Sequence, residues 1–305
     1  MLQNITELLT QLEQGNMKAL ARSISLVENE ATGYEQILFN LKSNTPTRVI
    51  GITGPPGAGK STLVNALIGK VLERGQKIAV LAVDPSSPFN YGALLGDRIR
   101  MSAYYNHPDV YIRSLASRGA LGGLNPKIIE ITDVMRNAGY DYLVVETVGV
   151  GQSEVEIAGI ADTTIVVVVP EAGDEIQTMK AGVMEIANIF VVNKADRANA
   201  DEFVRNLRIL AHHKATREWE IPVIKAIATQ GTGADELLQQ IDAYHQVPLQ
   251  ESLHKQVLLT DKVFQLIQAQ RMKNIDKTAL RDALFEAVQA ADFNIYRFAS
   301  GYFNP

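Results

Sequence analysis

Residues 51–62 read Gly51-Ile52-Thr53-Gly54-Pro55-Pro56-Gly57-Ala58-Gly59-Lys60-Ser61-Thr62. The apolar run Arg48-Val49-Ile50 leads in, and Leu63-Val64-Asn65-Ala66-Leu67-Ile68, with helical spacing, leads out. The stretch is G-x-x-x-x-G-K-S between a strand and a helix, the setting in which it forms a phosphate loop. Its glycines let the backbone turn successive N–H groups inward as an anion cradle. The helix that follows adds unsatisfied N–H groups and the positive end of its dipole. In such a loop Lys60 reaches the β- and γ-phosphates, Ser61 offers its hydroxyl to Mg²⁺, and 54–62 as a whole is the candidate binding segment.

The bulk numbers bound the rest. A length of 305 residues allows one large domain or two small ones. Hydrophobic residues are 46% and charged residues 21%, ordinary for a globular chain able to bury a sizeable core. The net charge of −5 argues against a nucleic-acid partner. Apolar runs fall short of a bilayer span, which argues against a membrane protein. The start, Met1-Leu2-Gln3-Asn4-Ile5, lacks a charged-then-apolar export signal. Cysteine is absent, so there is neither a disulfide frame nor a thiolate metal site. These features fit the cytoplasm, or an organelle after removal of a targeting segment.

Working outward, the chain divides into three. Residues 1–46 read as an N-terminal helical cap, with Ile5, Leu8, Leu9 and Leu12 on one helix face. Gly15-Asn16 breaks the pattern, Leu20, Ile24 and Val27 resume it, and Ile37, Leu38 and Leu41 form a third piece. A helix packed on the main core with no function of its own is the alternative. From 47 to 247, apolar strands alternate with helical stretches, the strands falling at 48–53, 78–84, 110–115, 142–147, 164–169, 189–193 and 223–227. Runs such as Ile165-Val166-Val167-Val168-Val169 mark strands buried on both faces of a parallel sheet. The fold class is α/β, a mostly parallel doubly wound sheet with helical N- and C-terminal extensions. In such sheets ligands sit beyond the carboxyl ends of the strands. Residues 248–305 return to helix, with Asp276 an N-cap candidate at the break after Asn274-Ile275. The aromatic tail Phe293-Asn294-Ile295-Tyr296-Arg297-Phe298, with Tyr302-Phe303, either covers its own domain or makes a dimer contact.

The residues after the strands carry the chemistry. Asn193-Lys194-Ala195-Asp196 follows the strand Ile189-Phe190-Val191-Val192. A carboxylate at Asp196 can accept from the N1–H and 2-amino group of guanine, and adenine would leave it desolvated and unpaired. The Lys194 stem can lie over the nucleotide while its ammonium stays polar. This selects GTP and GDP over ATP. Leu143-Val144-Val145-Glu146-Thr147-Val148-Gly149 has the D-x-x-G pattern of GTPases with Glu in place of Asp. Glu146 is then placed near Mg²⁺, directly or through water, and the Gly149 N–H near the γ-phosphate. Where Ras-like proteins carry a Gln that orients the attacking water, this chain has Val150, and Gln152 lies nearby. Slow intrinsic hydrolysis that a partner accelerates is the expectation. Asp84 and Asp97 are further metal candidates, although Ser61, Asp84, Asp97 and Glu146 exceed what one Mg²⁺ can hold beside triphosphate oxygens. For Asp97 a salt bridge to Arg98 or Arg100 is the plainer alternative. The stretch 170–182 is either a mobile loop reporting nucleotide state or a helix start capped by Asp174.

Taken together, these motifs resemble the MeaB/ArgK family of P-loop GTPases, whose human member is the methylmalonic aciduria type A protein. The resemblance runs from about 15 to 290. It rests on Ala19-Leu20-Ala21-Arg22 with Leu26-Val27-Glu28, the loop 54–62, Asp84-Pro85-Ser86-Ser87 and Gly96-Asp97-Arg98-Ile99-Arg100-Met101. It continues in Ser117-Arg118-Gly119-Ala120-Leu121-Gly122-Gly123-Leu124, Gly173-Asp174-Glu175-Ile176-Gln177 and Asn193-Lys194-Ala195-Asp196. The string Glu146-Thr147-Val148-Gly149-Val150-Gly151-Gln152-Ser153-Glu154 is the most specific part. The resemblance implies a P-loop NTPase fold and a homodimeric, Mg²⁺-dependent GTPase that chaperones an adenosylcobalamin-dependent acyl-CoA mutase, usually methylmalonyl-CoA mutase. Hydrolysis would gate cofactor loading and protect the mutase. Switch loops would match 84–101, 147–154 and 173–182, with Asp174 and Lys180 in the third, and the helical C-terminus would be the dimerisation region. One departure shows: the family usually has Ser-Ala in the last base-contact loop, and here the stretch is Ala226-Ile227-Ala228-Thr229-Gln230-Gly231. Ile227 removes a hydroxyl, while the Ala228 N–H, beside Thr229, can still meet the guanine O6.

Other readings use the same residues. A kinase linked to a periplasmic amino-acid-binding protein would need ATP, which Asp196 disfavours. A nickel-insertion GTPase usually carries Cys or His ligands, and the five His (107, 212, 213, 245, 254) form no convincing set. A nucleotide-gated binding module with negligible turnover is also compatible with Val150. The Asp196 assignment is open to a direct check. Asp196→Asn should weaken GTP more than xanthosine triphosphate, because the exchanged donor and acceptor suit xanthine; equal loss for both nucleotides in a binding titration would sink it.

Overall fold

Val and Ile stiffen the chain at χ1 and fit a pleated surface packed on both faces. In a computed structural model that describes residues 2–42, 45–84, 101–116, 125–147, 153–170, 185–213, 216, 218–247, 253–272, 275–290 and 292–302, those runs are strands. They are β1 (Arg48–Thr53), β2 (Ile78–Asp84), β3 (Val110–Ala116), β4 (Tyr142–Glu146), β5 (Thr163–Val168), β6 (Ile189–Val192) and β7 (Val223–Lys225). All seven join in one parallel sheet of order β3-β2-β4-β1-β5-β6-β7. Every expected strand is present, β1 and β2 at the expected bounds and the other five with ends shifted by one or two residues. The largest shift is at β7, which stops at Lys225 because Ile227 bridges antiparallel to Thr232 and turns the chain back.

Alternation along the strands decides the two faces. Val49, Leu81, Leu143 and Val145 share one cluster, whereas Ile50, Ile52, Val80 and Val144 share another. On the second face lie α4 (Lys60–Glu73), through Leu63 and Leu67, and α8 (Ala234–His245), through Leu237 and Ile241. On the first lie α5 (Ile128–Arg136), through Ile131 and Met135, and α6 (Ser153–Ile160), through Ile157. Towards β6 and β7, Val166, Phe190 and Val192 meet Phe203 and Leu207 of α7 (Ala200–His212). Burying one such aliphatic or aromatic side chain contributes about 1.5–3 kcal/mol before entropy is subtracted. The strand run Ile165-Val166-Val167-Val168 is fully buried and commits side chains to both faces at once.

The first three helices are α1 (Leu2–Glu13), α2 (Met17–Glu28) and α3 (Tyr34–Phe39). Gly15, at φ +77°, ends the first turn of direction, and the Asn16 side chain caps α2 by accepting from the Lys18 and Ala19 amides at 3.0 and 3.1 Å. Leu8, Leu12, Leu20, Ile24, Val27 and Ile37 belong to the same cluster as Val49, Leu81 and Leu143. These helices therefore cover sheet residues directly, with α2 packed on α5.

A polar network closes the end of the sheet opposite the phosphate loop. Asp242 on α8 pairs with Arg48 at the start of β1 and with Arg74 just beyond α4, the latter at 2.7 Å. The Tyr142 hydroxyl donates to the same carboxylate at 2.7 Å, and the Arg48 guanidinium lies 5.5 Å from the Tyr142 ring centre. Burial, then the bond to Asp242, push the Tyr142 phenol up to about 12, so it remains a donor.

The chain forms two compact units, Met1–Gln250 and Glu251–Pro305. The second consists of α9 (Leu253–Met272), α10 (Lys277–Ala287) and α11 (Ile295–Ser300). Asp276 caps α10 as expected, accepting from the Thr278 amide at 2.7 Å, and Asn294 caps α11 in the same way. Within the tail, Phe298 contacts the rings of Phe293 and Tyr302. Val263, Phe264, Ile267, Phe285 and Tyr296 are exposed. Among the described residues no helix is long and apolar enough to cross a membrane.

Asp242→Ala is expected to lower the unfolding free energy by about 1–3 kcal/mol, because it leaves two guanidinium groups and a buried phenol without their shared acceptor. Urea denaturation of the variant against the parent chain measures this directly.

Candidate nucleotide-binding site

The loop after β1 is held by close backbone approach. Gly54 has φ +139°, and a Cβ there would lie 2.0 Å from the Val167 carbonyl oxygen of β5. Gly59, at φ +88°, would place a Cβ 2.3 Å from Asn193 Nδ2. Neither position tolerates a side chain, so the loop passes beneath the ends of its neighbouring strands. Pro55 is half-buried, Pro56 and Gly57 are exposed, and Ala58 is buried in the second-face core. The α4 helix starts at Lys60, and its N-cap Gly59 makes no side-chain cap bond. The first-turn amides therefore point into the loop, as an anion site requires.

Lys60 is 7% exposed and curls back over the loop, its Nζ donating to the Gly54 carbonyl at 2.9 Å and the Pro55 carbonyl at 3.2 Å. The next residue reaches the other way. The Ser61 hydroxyl donates to Glu146 Oε1 at 2.7 Å, and both side chains are buried. Glu146 ends β4 in register with Ile52 of β1, which is why the two meet. Thr147 fastens the same corner, its amide donating to the Ile52 carbonyl and its hydroxyl to Thr53 Oγ1, both at 3.0 Å. A serine hydroxyl and a carboxylate side by side are hard oxygen donors, the chemistry that suits Mg²⁺. Among the described residues no three His, Cys, Asp or Glu side chains gather into a metal cluster. Ser61 and Glu146 thus fit as part of an Mg²⁺ site, in which phosphate oxygens and water would have to supply the other ligands. Asp84 ends β2. Asp97, Gly149, Val150, Gln152, Asp174 and Lys180 lie outside the described residues.

The Asn193–Asp196 segment is built onto the same corner. The Asn193 amide extends the β5–β6 ladder to the Val168 carbonyl at 2.9 Å, and the Ala195 amide bonds the Ala226 carbonyl at 3.0 Å. Lys194 occupies the left-handed region at φ +56°, a strained choice for a long side chain. The Arg197 amide closes this turn on the Lys194 carbonyl at 3.0 Å. The result is a pocket of about 230 Å³ lined by Gly59, Thr62, Asn193 and Lys194 and by Ile227 and Ala228. Asp196, Arg197 and Thr229 complete the lining and are exposed, so they stand at its rim. Asp196 is exposed at the rim, where a ligand edge can reach its carboxylate.

Two features of this pocket were not legible in the motif. The buried Asn193 side chain donates from Nδ2 to the Ala58 carbonyl at 2.8 Å and accepts from the Ala228 amide at 3.1 Å. It joins the phosphate loop, the Asn193–Asp196 turn and the 226–231 segment. The Ala228 amide therefore already has an acceptor, and a base oxygen reaching it must share the hydrogen. Arg197 also lines the pocket, and its only signal in the sequence is its place directly after Asp196.

Gly54→Ala should weaken guanine nucleotide binding more than about tenfold and lower the melting temperature, since its Cβ meets backbone rather than a movable side chain. Gly57→Ala, whose Cβ would meet nothing within 4 Å, should cost stability only about 1 kcal/mol from its left-handed φ. Calorimetric titration with GDP and a thermal melt of each variant separate the two outcomes.

Comparison with known proteins agrees with this geometry. The sequence profile of the family described as "Methylmalonyl Co-A mutase-associated GTPase MeaB" matches residues 20–284. A Pyrococcus horikoshii protein named as a GTPase is 45% identical over 256 residues, spanning 82% of this chain and 80% of that one. The GTPase ArgK of Escherichia coli is 36% identical over 247 residues, spanning 78% and 75% of the two chains. A crystal structure described as a LAO/AO transport system kinase superposes with a TM-score of 0.66 at 28% identity, covering 98% of this chain and 96% of that one. A parallel seven-stranded sheet with a Gly54–Thr62 phosphate loop, an Asn193–Asp196 base segment and these matches place the chain in one group: it belongs to the MeaB family of methylmalonyl-CoA mutase-associated GTPases.

Proposed function

We propose that this protein binds and hydrolyses GTP in order to gate cofactor loading, and to protect, an adenosylcobalamin-dependent acyl-CoA mutase of the methylmalonyl-CoA mutase type. The observation that carries the nucleotide part is the Asn193 bridge, which holds a guanine-type pocket and a phosphate loop in one rigid frame. The client is supported by the family description, which names that mutase.

The residues divide the work. Asp196 accepts from the N1–H and 2-amino group of guanine, and the Lys194 stem covers the nucleotide. Thr62, Ala228 and Thr229 line the same pocket. On triphosphate binding Lys60 exchanges its bonds to the Gly54 and Pro55 carbonyls for phosphate oxygens. That exchange costs little, since one buried set of acceptors replaces another. Ser61 and Glu146 hold Mg²⁺, with Asp84 and Asp97 acting through water or in one nucleotide state. When bound, Mg²⁺ neutralises charge on the phosphates and orients them. By motif, the Gly149 N–H would sense the γ-phosphate, Gln152 is the candidate to act on the attacking water, and Lys180 would belong with Asp174 to the third switch, which links partner contact to the nucleotide site. Val150, in the place of a water-orienting Gln, keeps turnover slow until a partner completes the site. The exposed apolar side chains of α9 and α10 support a homodimer contact in the C-terminal unit. A cytoplasmic site of action, without nucleic-acid or membrane partners, fits the acidic charge balance.

One observation favours a second reading. The superposable crystal structure is described as a transport system kinase. Phosphate transfer to a protein acceptor under Mg-ATP would establish that reading here, against the base preference expected from Asp196.

Steady-state GTP hydrolysis should rise severalfold when an adenosylcobalamin-dependent mutase from the same source is added. An unchanged rate, together with separate elution of the two proteins, would remove the mutase as client.

A further inference from the structure

We propose that Arg197 is a further nucleotide-binding residue, whose planar guanidinium covers the purine face and sets affinity without selecting the base. This rests on the guanine-pocket reading above and extends it.

Three observations lead there. First, Arg197 lines the pocket of about 230 Å³ together with Asn193, Lys194 and Asp196. Second, its backbone is fixed against that pocket rather than trailing away. The Arg197 amide bonds the Lys194 carbonyl at 3.0 Å, Lys194 is held at φ +56°, and Ala195 is tied to Ala226 at 3.0 Å. The left-handed turn is the device that brings residue 197 round to the rim. Third, Arg197 is exposed, so its side chain is within reach of a ligand entering from solvent.

Ile227 and Ala228 add apolar surface to the same lining, against which a purine can pack. Guanidinium is planar, weakly hydrated and stacks on aromatic rings, whereas ammonium is a compact point charge. A stacked guanidinium contacts any purine face alike, so it raises affinity and leaves identity to Asp196.

The test is calorimetric titration of the full chain with GDP and IDP at low and at high salt, for the parent and for Arg197→Ala, Arg197→Lys and Arg197→Tyr. Arg197→Ala should weaken GDP and IDP by the same factor, about 3- to 10-fold, the size expected of one cation–π contact. The loss should persist at high salt, because stacking is not screened as an exposed charge is. Arg197→Tyr should recover most of the affinity and Arg197→Lys little of it. A thermal melt of each ligand-free variant, run beside the titration, separates a loss of binding from a loss of folding. Affinity within twofold of the parent for Arg197→Ala overturns the proposal. So does a loss that vanishes at high salt or is rescued by lysine alone, since both describe attraction of phosphate by charge. Failure of the parent chain itself to bind GDP would instead overturn the guanine-pocket reading.

Discussion

The contact on which the nucleotide site depends is the approach of Gly54 to the backbone of β5. With φ at +139° and room for no Cβ before the Val167 carbonyl, the chain leaving β1 has one course. It must pass under the end of β5 and then turn into α4 at Lys60. Because β1 lies between β4 and β5, that course delivers the loop to the carboxyl ends of both neighbours. Glu146 from β4 meets Ser61, and Asn193 beyond β6 meets Ala58. Each functional side chain is placed by strand register rather than by its own loop.

Stability and function are divided between the two ends of the sheet. At the end away from the loop, charge is satisfied internally: Asp242 gathers Arg48, Arg74 and Tyr142. At the loop end, polar groups are buried while turned towards the space a ligand takes, as with Lys60, Ser61 and Glu146. Burying such groups is unfavourable unless each finds a partner. The observed bonds of Lys60 to loop carbonyls and of Ser61 to Glu146 supply partners that a nucleotide and its cation can replace in kind.

The legible part of this molecule is the part carried by period and by short motifs. Several near-continuous Val and Ile runs announced the central strands, because β-branched side chains packed on two faces leave no polar alternation to confuse them. The phosphate loop and the Asn193-Lys194-Ala195-Asp196 turn were equally plain, since their chemistry needs those residue types in that order. Less legible were the bounds of β7, which depend on the Ile227–Thr232 bridge, and the way α1, α2 and α3 share a core with Val49 and Leu143. The double engagement of Asn193 was hidden for a similar reason. It joins residues 135 and 35 positions apart, and no local pattern encodes such a pairing.

By itself, then, the sequence determined the fold class, the phosphate loop, the Asn193-Lys194-Ala195-Asp196 motif and the family, because each is written in contiguous residues with a fixed spacing. The tertiary structure alone decided that Ser61 and Glu146 form one oxygen pair, that the Ala228 amide is engaged by Asn193, and that Arg197 stands on the rim of the base pocket. Those facts follow from parallel strand register and from a left-handed turn at Lys194. Both are settled by packing across the sheet, where residues far apart in the chain must share one volume and one set of hydrogen bonds.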